Sequence, residues 1–141
     1  MGSPRSGGRP ATALTPDGPG KWRLSGRKTF STLSPALTYF VTYVAVEDGS
    51  GDVARVAVHR DRPGITIDET WDALGMRATG SHDVVFDNVP IEDGDFTSRR
   101  SLEKNREVMS SGGAWFPLLI GAANLGISEA ARDYAVNYVR T

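Results

Sequence analysis

"TYFVTYVAVEDGSGDVARVAVHR", residues 38–60, decides how the rest of the chain is read. Thr38 to Glu47 is dense in β-branched and aromatic residues, which pack well on a pleated surface, and reads as a central strand. Val53 to Arg60 alternates, with Val53, Val56 and Val58 among its apolar positions, and reads as a second strand. The "EDGSGD" between them supplies glycines that accept left-handed backbone, so a hairpin loop is expected there.

The same grammar extends in both directions. "DRPGITIDE", residues 61–69, gives a turn and then a short strand with Ile65 and Ile67 on one face. "HDVVFDNVPI", residues 82–91, reads as a further strand ended by Pro90. Upstream, Asp17-Gly18-Pro19-Gly20 is turn chemistry. After it, Trp22 and Leu24 alternate with Lys21, Arg23 and Ser25, and Gly26 reads as a bend or bulge. Ala11 to Thr15 suits a short strand. Short strands separated by regular turn signals predict a mainly β chain, an antiparallel β-barrel of about six to eight strands. After Asp95 the apolar period changes to 3.6. Leu119, Ala122, Ala123, Gly126, Ile127, Ala130 and Tyr134 fall on one stripe, which predicts one long C-terminal α-helix. The expected organisation is a flexible Gly/Ser/Pro/Arg segment over 1–10, a β-barrel over 11–95, and the start of a helical domain over 96–141.

The totals exclude several function classes. With 141 residues, 39 % hydrophobic and 23 % charged, the chain can build one ordinary core. A formal net charge of -1 gives no electrostatic reason to expect nucleic acid or an anionic membrane. Without cysteine there is no thiolate nucleophile, disulfide or Cys-based zinc site, which suits a cytoplasmic protein. No apolar run reaches the roughly 18 residues of a membrane span. The first ten residues lack the apolar stretch of a secretory signal.

Few residues advertise chemistry. His59 and His82 have no ligand-like spacing. His59 reads as a surface residue. Ser81-His82-Asp83 reads as a strand-entry turn, because neighbours on a strand point to opposite faces. No glycine pattern opens a helix after a strand, so no phosphate or dinucleotide fingerprint exists. "WDALGMRATGSHD", residues 71–83, is denser. It is either a packed connection in which Arg77 pairs with a carboxylate, or a loop lining a ligand cleft. "GRKTFSTLSPALTYF", residues 26–40, sets Phe30 among the hydroxyls of Thr29, Ser31 and Thr32 where a strand runs out. A ring flanked by hydroxyls can serve a planar ligand, the ring against its flat face and the hydroxyls at its polar edge. A flavin is such a ligand. Strand packing alone also accounts for these residue types.

The order "GKWRLSGRKTFST", a run of strands, "WDALGMRATGSHDVVFDNVPI" and then "LLIGAANLGISEAARDYAVNYVR" resembles the acyl-CoA dehydrogenase family. The likeness is to its middle β-barrel domain followed by the first helix of its C-terminal four-helix bundle, and it covers the chain from about Ala11 onward. It implies a FAD site in which Phe30, Ser31 and Thr32 line the flavin, the hydroxyl reaching N5 and the aromatic packing beside the ring system. The family's usual aromatic there is Trp, so Phe30 keeps the ring and loses the indole N–H. The implied activity is α,β-dehydrogenation of an acyl thioester by hydride transfer to flavin N5, with acyl-CoA or a related molecule as substrate and a dimer or tetramer as the parent assembly. The family's catalytic carboxylate lies further into the bundle, so no catalytic residue is assigned, and the isolated chain is expected to be inactive. Family members often place an Asp and an Arg near the substrate at the start of this helix. Here "SSGGAWFPLL", residues 110–119, carries no charge, which favours an unusual thioester or a non-CoA substrate. The superfamily also holds flavin-dependent monooxygenases of the same fold, the alternative reading. A non-catalytic β-barrel module is the third.

Overall fold

The computed structural model describes residues 4–5, 9–112 and 115–140. Two units follow one another along the chain, divided between Leu102 and Glu103.

The first unit is built of strands: β1 (Pro4–Arg5), β2 (Arg9–Pro10), β3 (Ala13–Pro16), β4 (Lys21–Lys28), β5 (Tyr39–Val46), β6 (Asp52–His59), β7 (Ile65–Asp68), β8 (Asp83–Glu92) and β9 (Phe96–Ser101). β1 and β2 pair with each other. The other seven form one sheet in the order β7-β8-β4-β3-β5-β6-β9. All its pairings are antiparallel except β3 with β5, which run parallel through Ala13–Ala45 and Leu14–Val46. The expected antiparallel barrel is therefore an open mixed sheet with β7 and β9 at its edges. Of the segment expected to be flexible, residues 1–3 and 6–8 lie outside the described residues, and β1 and β2 occupy four of the rest.

The sheet curls until distant strands touch. β8 and β5 are three strand spacings apart, ~14 Å if the sheet were flat. Yet the rings of Phe86 on β8 and Phe40 on β5 meet edge-to-face at 6.4 Å. β4 and β9 are four spacings apart, ~19 Å flat, but Trp22 and Phe96 lie 5.7 Å apart. Arg99 on β9 closes the same seam. Its guanidinium sits 5.6 Å over the Trp22 ring and pairs with Asp48 and Asp52 at the β5–β6 turn. Inside the curl, the alternate residues Phe40, Val44 and Val46 of β5 meet Ala54, Val56 and Val58 of β6, with Leu14, Leu24, Val84, Val89 and Ile91.

Two irregularities in the strands have physical causes. Leu24 pairs with Val89 but Gly26 pairs with Phe86, so β8 carries one extra residue. Asn88 takes that kink with φ 51°, a left-handed conformation its short side chain tolerates. Gly26 faces the kink. A Cβ there would lie 2.8 Å from the Ala11 carbonyl, so the bulge expected at Gly26 is a point of close backbone approach. β8 runs through Pro90 rather than ending there. The Pro90 carbonyl accepts from Arg62 Nη1, and β7 pairs only with Asp83 to Phe86, so no neighbouring strand needs a Pro90 N–H.

The strand grammar also continues past residue 95. Phe96–Ser101 forms β9 on β6, and helix begins with α1 (Leu102–Gly112). The second unit is completed by α2 (Trp115–Arg140), whose Pro117 sits in the first turn, where the missing N–H costs nothing. Within that unit no residue of α2 is buried. Among the described residues, no helix is long and apolar enough to cross a membrane.

The curl depends on its buried rings. Phe40→Ala should cost about 3–5 kcal/mol of unfolding free energy. Val41→Ala, on the exposed face of the same strand, should cost about 1 kcal/mol or less. Urea unfolding followed by circular dichroism measures both, and equal costs would contradict the curl.

Candidate functional site

The two stretches with the densest chemistry meet at one rim of the sheet. β4 ends at Lys28, and a 3₁₀ turn (Ser34–Ala36) separates it from β5. The opposing loop runs from Asp68 to Asp83 and contains a second 3₁₀ turn (Arg77–Thr79). Backbone bonds stitch the loops together. Ser31 N–H donates to the His82 carbonyl at 2.9 Å and Leu33 N–H to the Thr79 carbonyl at 2.7 Å. Ser34 Oγ donates to the Gly80 carbonyl at 3.1 Å. His82 belongs to this stitching, since its Nδ1 accepts the Trp71 backbone N–H at 3.1 Å.

Phe30, Ser31 and Thr32 divide between two roles. Phe30 stands out from the rim, 66 % exposed, and meets Trp71 edge-to-face at 6.1 Å. Thr32 is exposed, with its Oγ1 3.1 Å from Ser81 Oγ. Ser31 is fully buried, and its Oγ accepts from Lys28 Nζ at 3.3 Å. Phe30 and Thr32 are thus exposed residues of the rim, while the serine hydroxyl braces it from behind. Leu33, Leu74 and Met76 add exposed apolar surface in the same two loops.

The backbone here is held in uncommon conformations. Of the non-glycine residues with positive φ among those described, Phe30 (53°), Leu33 (58°) and Met76 (55°) all lie in these loops. Bulky side chains avoid this region at a cost of roughly 1–2 kcal/mol each. Such outliers cluster where geometry serves a ligand. The stitching bonds hold them.

Sequence reasoning named the three rim residues and left open the role of residues 71–83. In the structure Arg77 lies 3.8 Å from Asp72 with both side chains exposed, the carboxylate pairing that the packed-connection reading expected. The same loop presents Trp71, Thr79 and Ser81 to the rim. The alternation of Thr79 and Ser81 about Gly80 was the available signal for the last two. Trp71 gave none, because only the stitched fold shows that it faces Phe30. Among the described residues no group of three metal-ligating side chains comes together.

A family model described as "Acyl-CoA dehydrogenase, middle domain" matches residues 3–89. The chain belongs to the acyl-CoA dehydrogenase family. YdbM of Bacillus subtilis (strain 168), named as an acyl-CoA dehydrogenase, is 44% identical over 97% of this chain and 34% of its own length. The amino sugar nitrososynthase RubN8 of Streptomyces rubradiris is 39% identical over 96% of this chain and 32% of its own length. The solved structure of KijD3 in complex with FMN and dTDP-3-amino-2,3,6-trideoxy-4-keto-3-methyl-D-glucose matches with a TM-score of 0.61. That match has 43% sequence identity and covers 64% of this chain and 23% of KijD3. The chain thus spans about a third of the length of the curated relatives it matches. The family is flavin-dependent, and its relatives here carry both dehydrogenase and nitrososynthase names.

The Lys28 amine behind the rim gives a pH test. Burial pushes its pKa below the ordinary 10.5. The unfolded chain then holds this proton to higher pH than the folded one, so the group makes stability rise as pH climbs from the folded value towards 10.5. Thermal melts at about pH 8 and about pH 10 should show a smaller gain on alkalinisation, or a larger loss, for Lys28→Met than for wild type. Identical pH dependence in the two proteins would contradict the burial of this charge.

Proposed function

We propose that this chain is the flavin-holding portion of an acyl-CoA dehydrogenase-like oxidoreductase, with the isoalloxazine edge lying against the rim formed by Phe30, Thr32 and Trp71. The observation that carries the reading is the pairing, on one rim, of exposed aromatic surface with an exposed threonine whose hydroxyl is bonded to that of the buried Ser81. The donor set suits a flat heterocycle with a polar edge: rings for its face, a hydroxyl for its ring nitrogens and carbonyls. Ser31 contributes from beneath, its N–H and Oγ fixing the backbone that carries Phe30 and Thr32. FAD is the form the family resemblance implies, and FMN is the form in the KijD3 complex. Both share the ring system that this rim addresses.

When bound, flavin supplies a two-electron acceptor. The residues of this chain orient it. Phe30 and Trp71 restrict the ring system from the side, and Thr32 fixes its polar edge in register with whatever substrate lies across the cofactor. We propose α,β-dehydrogenation of an acyl thioester as the reaction of the parent enzyme, in keeping with the likeness to YdbM. Oxygenation of a non-CoA substrate is the second reading. Two observations favour it: residues 110–119 carry no charge, and the nitrososynthase RubN8 is 39% identical.

Flavin titration tests the site. Adding the chain to FAD, and separately to FMN, should quench flavin fluorescence. Thr32→Val should weaken binding about fivefold, the worth of one hydrogen bond near 1 kcal/mol. Equal affinity for wild type and variant would remove Thr32 from the site, and no quenching at any flavin concentration would remove the flavin.

A further inference from the structure

Lys28 is a half-buried cation without a counter-charge. On β4 it lies four residues from Leu24 and so shares that residue's face of the sheet. Leu24 is fully buried, and so is Val84, the residue opposite Lys28 in the β4–β8 pairing. The lysine therefore projects from the inward face, at the end where β4 runs out into the rim. An ammonium can only donate, and this one donates to the Ser31 hydroxyl at 3.3 Å. Among the described residues no carboxylate lies within ion-pair distance of it. The acids closest along the paired strands are engaged elsewhere: Asp68 and Asp83 each hold Arg27 at 2.7 Å. Ser31 sits between Phe30 and Thr32 in the chain, so standard bond lengths keep the Lys28 nitrogen within about 10 Å of the Cα atoms of both.

Resting on the flavin reading above, we propose that the Lys28 ammonium is the fixed charge that favours a reduced, anionic flavin at this rim over the oxidised one. Two electrons and one proton leave the flavin ring with one negative charge at neutral pH, whereas the oxidised ring is neutral. A cation behind the rim attracts the first and is nearly indifferent to the second. The attraction depends on distance, so Lys28 need touch no flavin atom, and Thr32 keeps its place at the polar edge. Position on the inward face matters, because salt screens a partly buried charge much less than an exposed one. Burial without a carboxylate to offset it also pushes the Lys28 pKa below 10.5. An anion at the rim supplies the missing counter-charge and raises that pKa again, the reciprocal of the same coupling. For unit charges about 10–15 Å apart at an effective dielectric constant of about 20, the coupling amounts to a factor of about five to fifteen.

The test compares affinities for oxidised FMN and for dithionite-reduced FMN at pH 7 under argon, read from flavin absorbance and tryptophan quenching. Lys28→Met keeps most of the apolar stem and removes the charge. It should lower the preference for reduced over oxidised FMN about five- to fifteenfold relative to wild type. For a two-electron couple this is a fall of about 20–35 mV in the bound midpoint potential. Lys28→Arg keeps the charge and should keep the wild-type ratio. Ser31→Ala removes the bond and leaves the charge, so it should weaken both forms alike and also keep the ratio. A purely bracing role for Lys28 would make Lys28→Met behave as Ser31→Ala does. Circular dichroism identifies a variant that fails to fold, and Lys28→Gln then replaces Lys28→Met. An unchanged ratio in a folded neutral variant, or a shift towards the reduced form, overturns the role of the charge and leaves the flavin site standing. A wild type that binds neither form overturns both.

Discussion

Four hydrogen bonds between residues 31–34 and residues 79–82 hold the rim together, one of them between the Thr32 and Ser81 hydroxyls. Ser31 and Leu33 donate their backbone N–H groups across the gap, and Ser34 donates its hydroxyl. Without them the left-handed backbones of Phe30, Leu33 and Met76 would relax to commoner conformations. With them, two loops far apart in sequence present one surface of rings and hydroxyls. The rim in turn depends on the curl beneath it. Phe40 and Phe86 draw the two halves of the sheet together, and β5 and β8 are the strands that leave one loop and receive the other.

Much of this was legible in the chain. The valine-rich hairpin of residues 38–60 announces β5 and β6, and its alternation gives the inward face correctly at Val56 and Val58. Gly26 was readable as an irregularity because a strand has little other use for a residue without a side chain. Resemblance in "WRLSGRKTFST" and "LGMRATGSHDVVFDNVPI" reached the family without help from the fold. Other features were hidden for physical reasons. β9 is polar and short, "FTSRRS", and exists because β6 offers it an edge, a tertiary preference that no local pattern encodes. The inward turn of Ser31 depends on Lys28, which period-2 reading places without regard to partners. Closure of the sheet was overestimated because alternation is the same in an open curl and a closed barrel. The parallel β3–β5 pairing depends on a chain crossing that turn signals do not reveal.

Members of this family bearing dehydrogenase and nitrososynthase names share the fold of this domain, so fold alone does not choose the reaction. What a middle domain of this kind can set is the environment of a cofactor edge. Phe30 offers a ring and no donor, which leaves Thr32 as the exposed polar residue of the 30–33 segment.

Amide chemical shifts of the isotope-labelled chain, followed as FMN is added, test the central claim most directly. A cofactor edge against the rim predicts saturable shifts concentrated at Phe30, Thr32, Trp71 and Ser81, together with the Trp71 indole N–H, while the Val53–Val58 core stays still. Shifts confined to other surfaces, or none at these residues at saturating flavin, would contradict it.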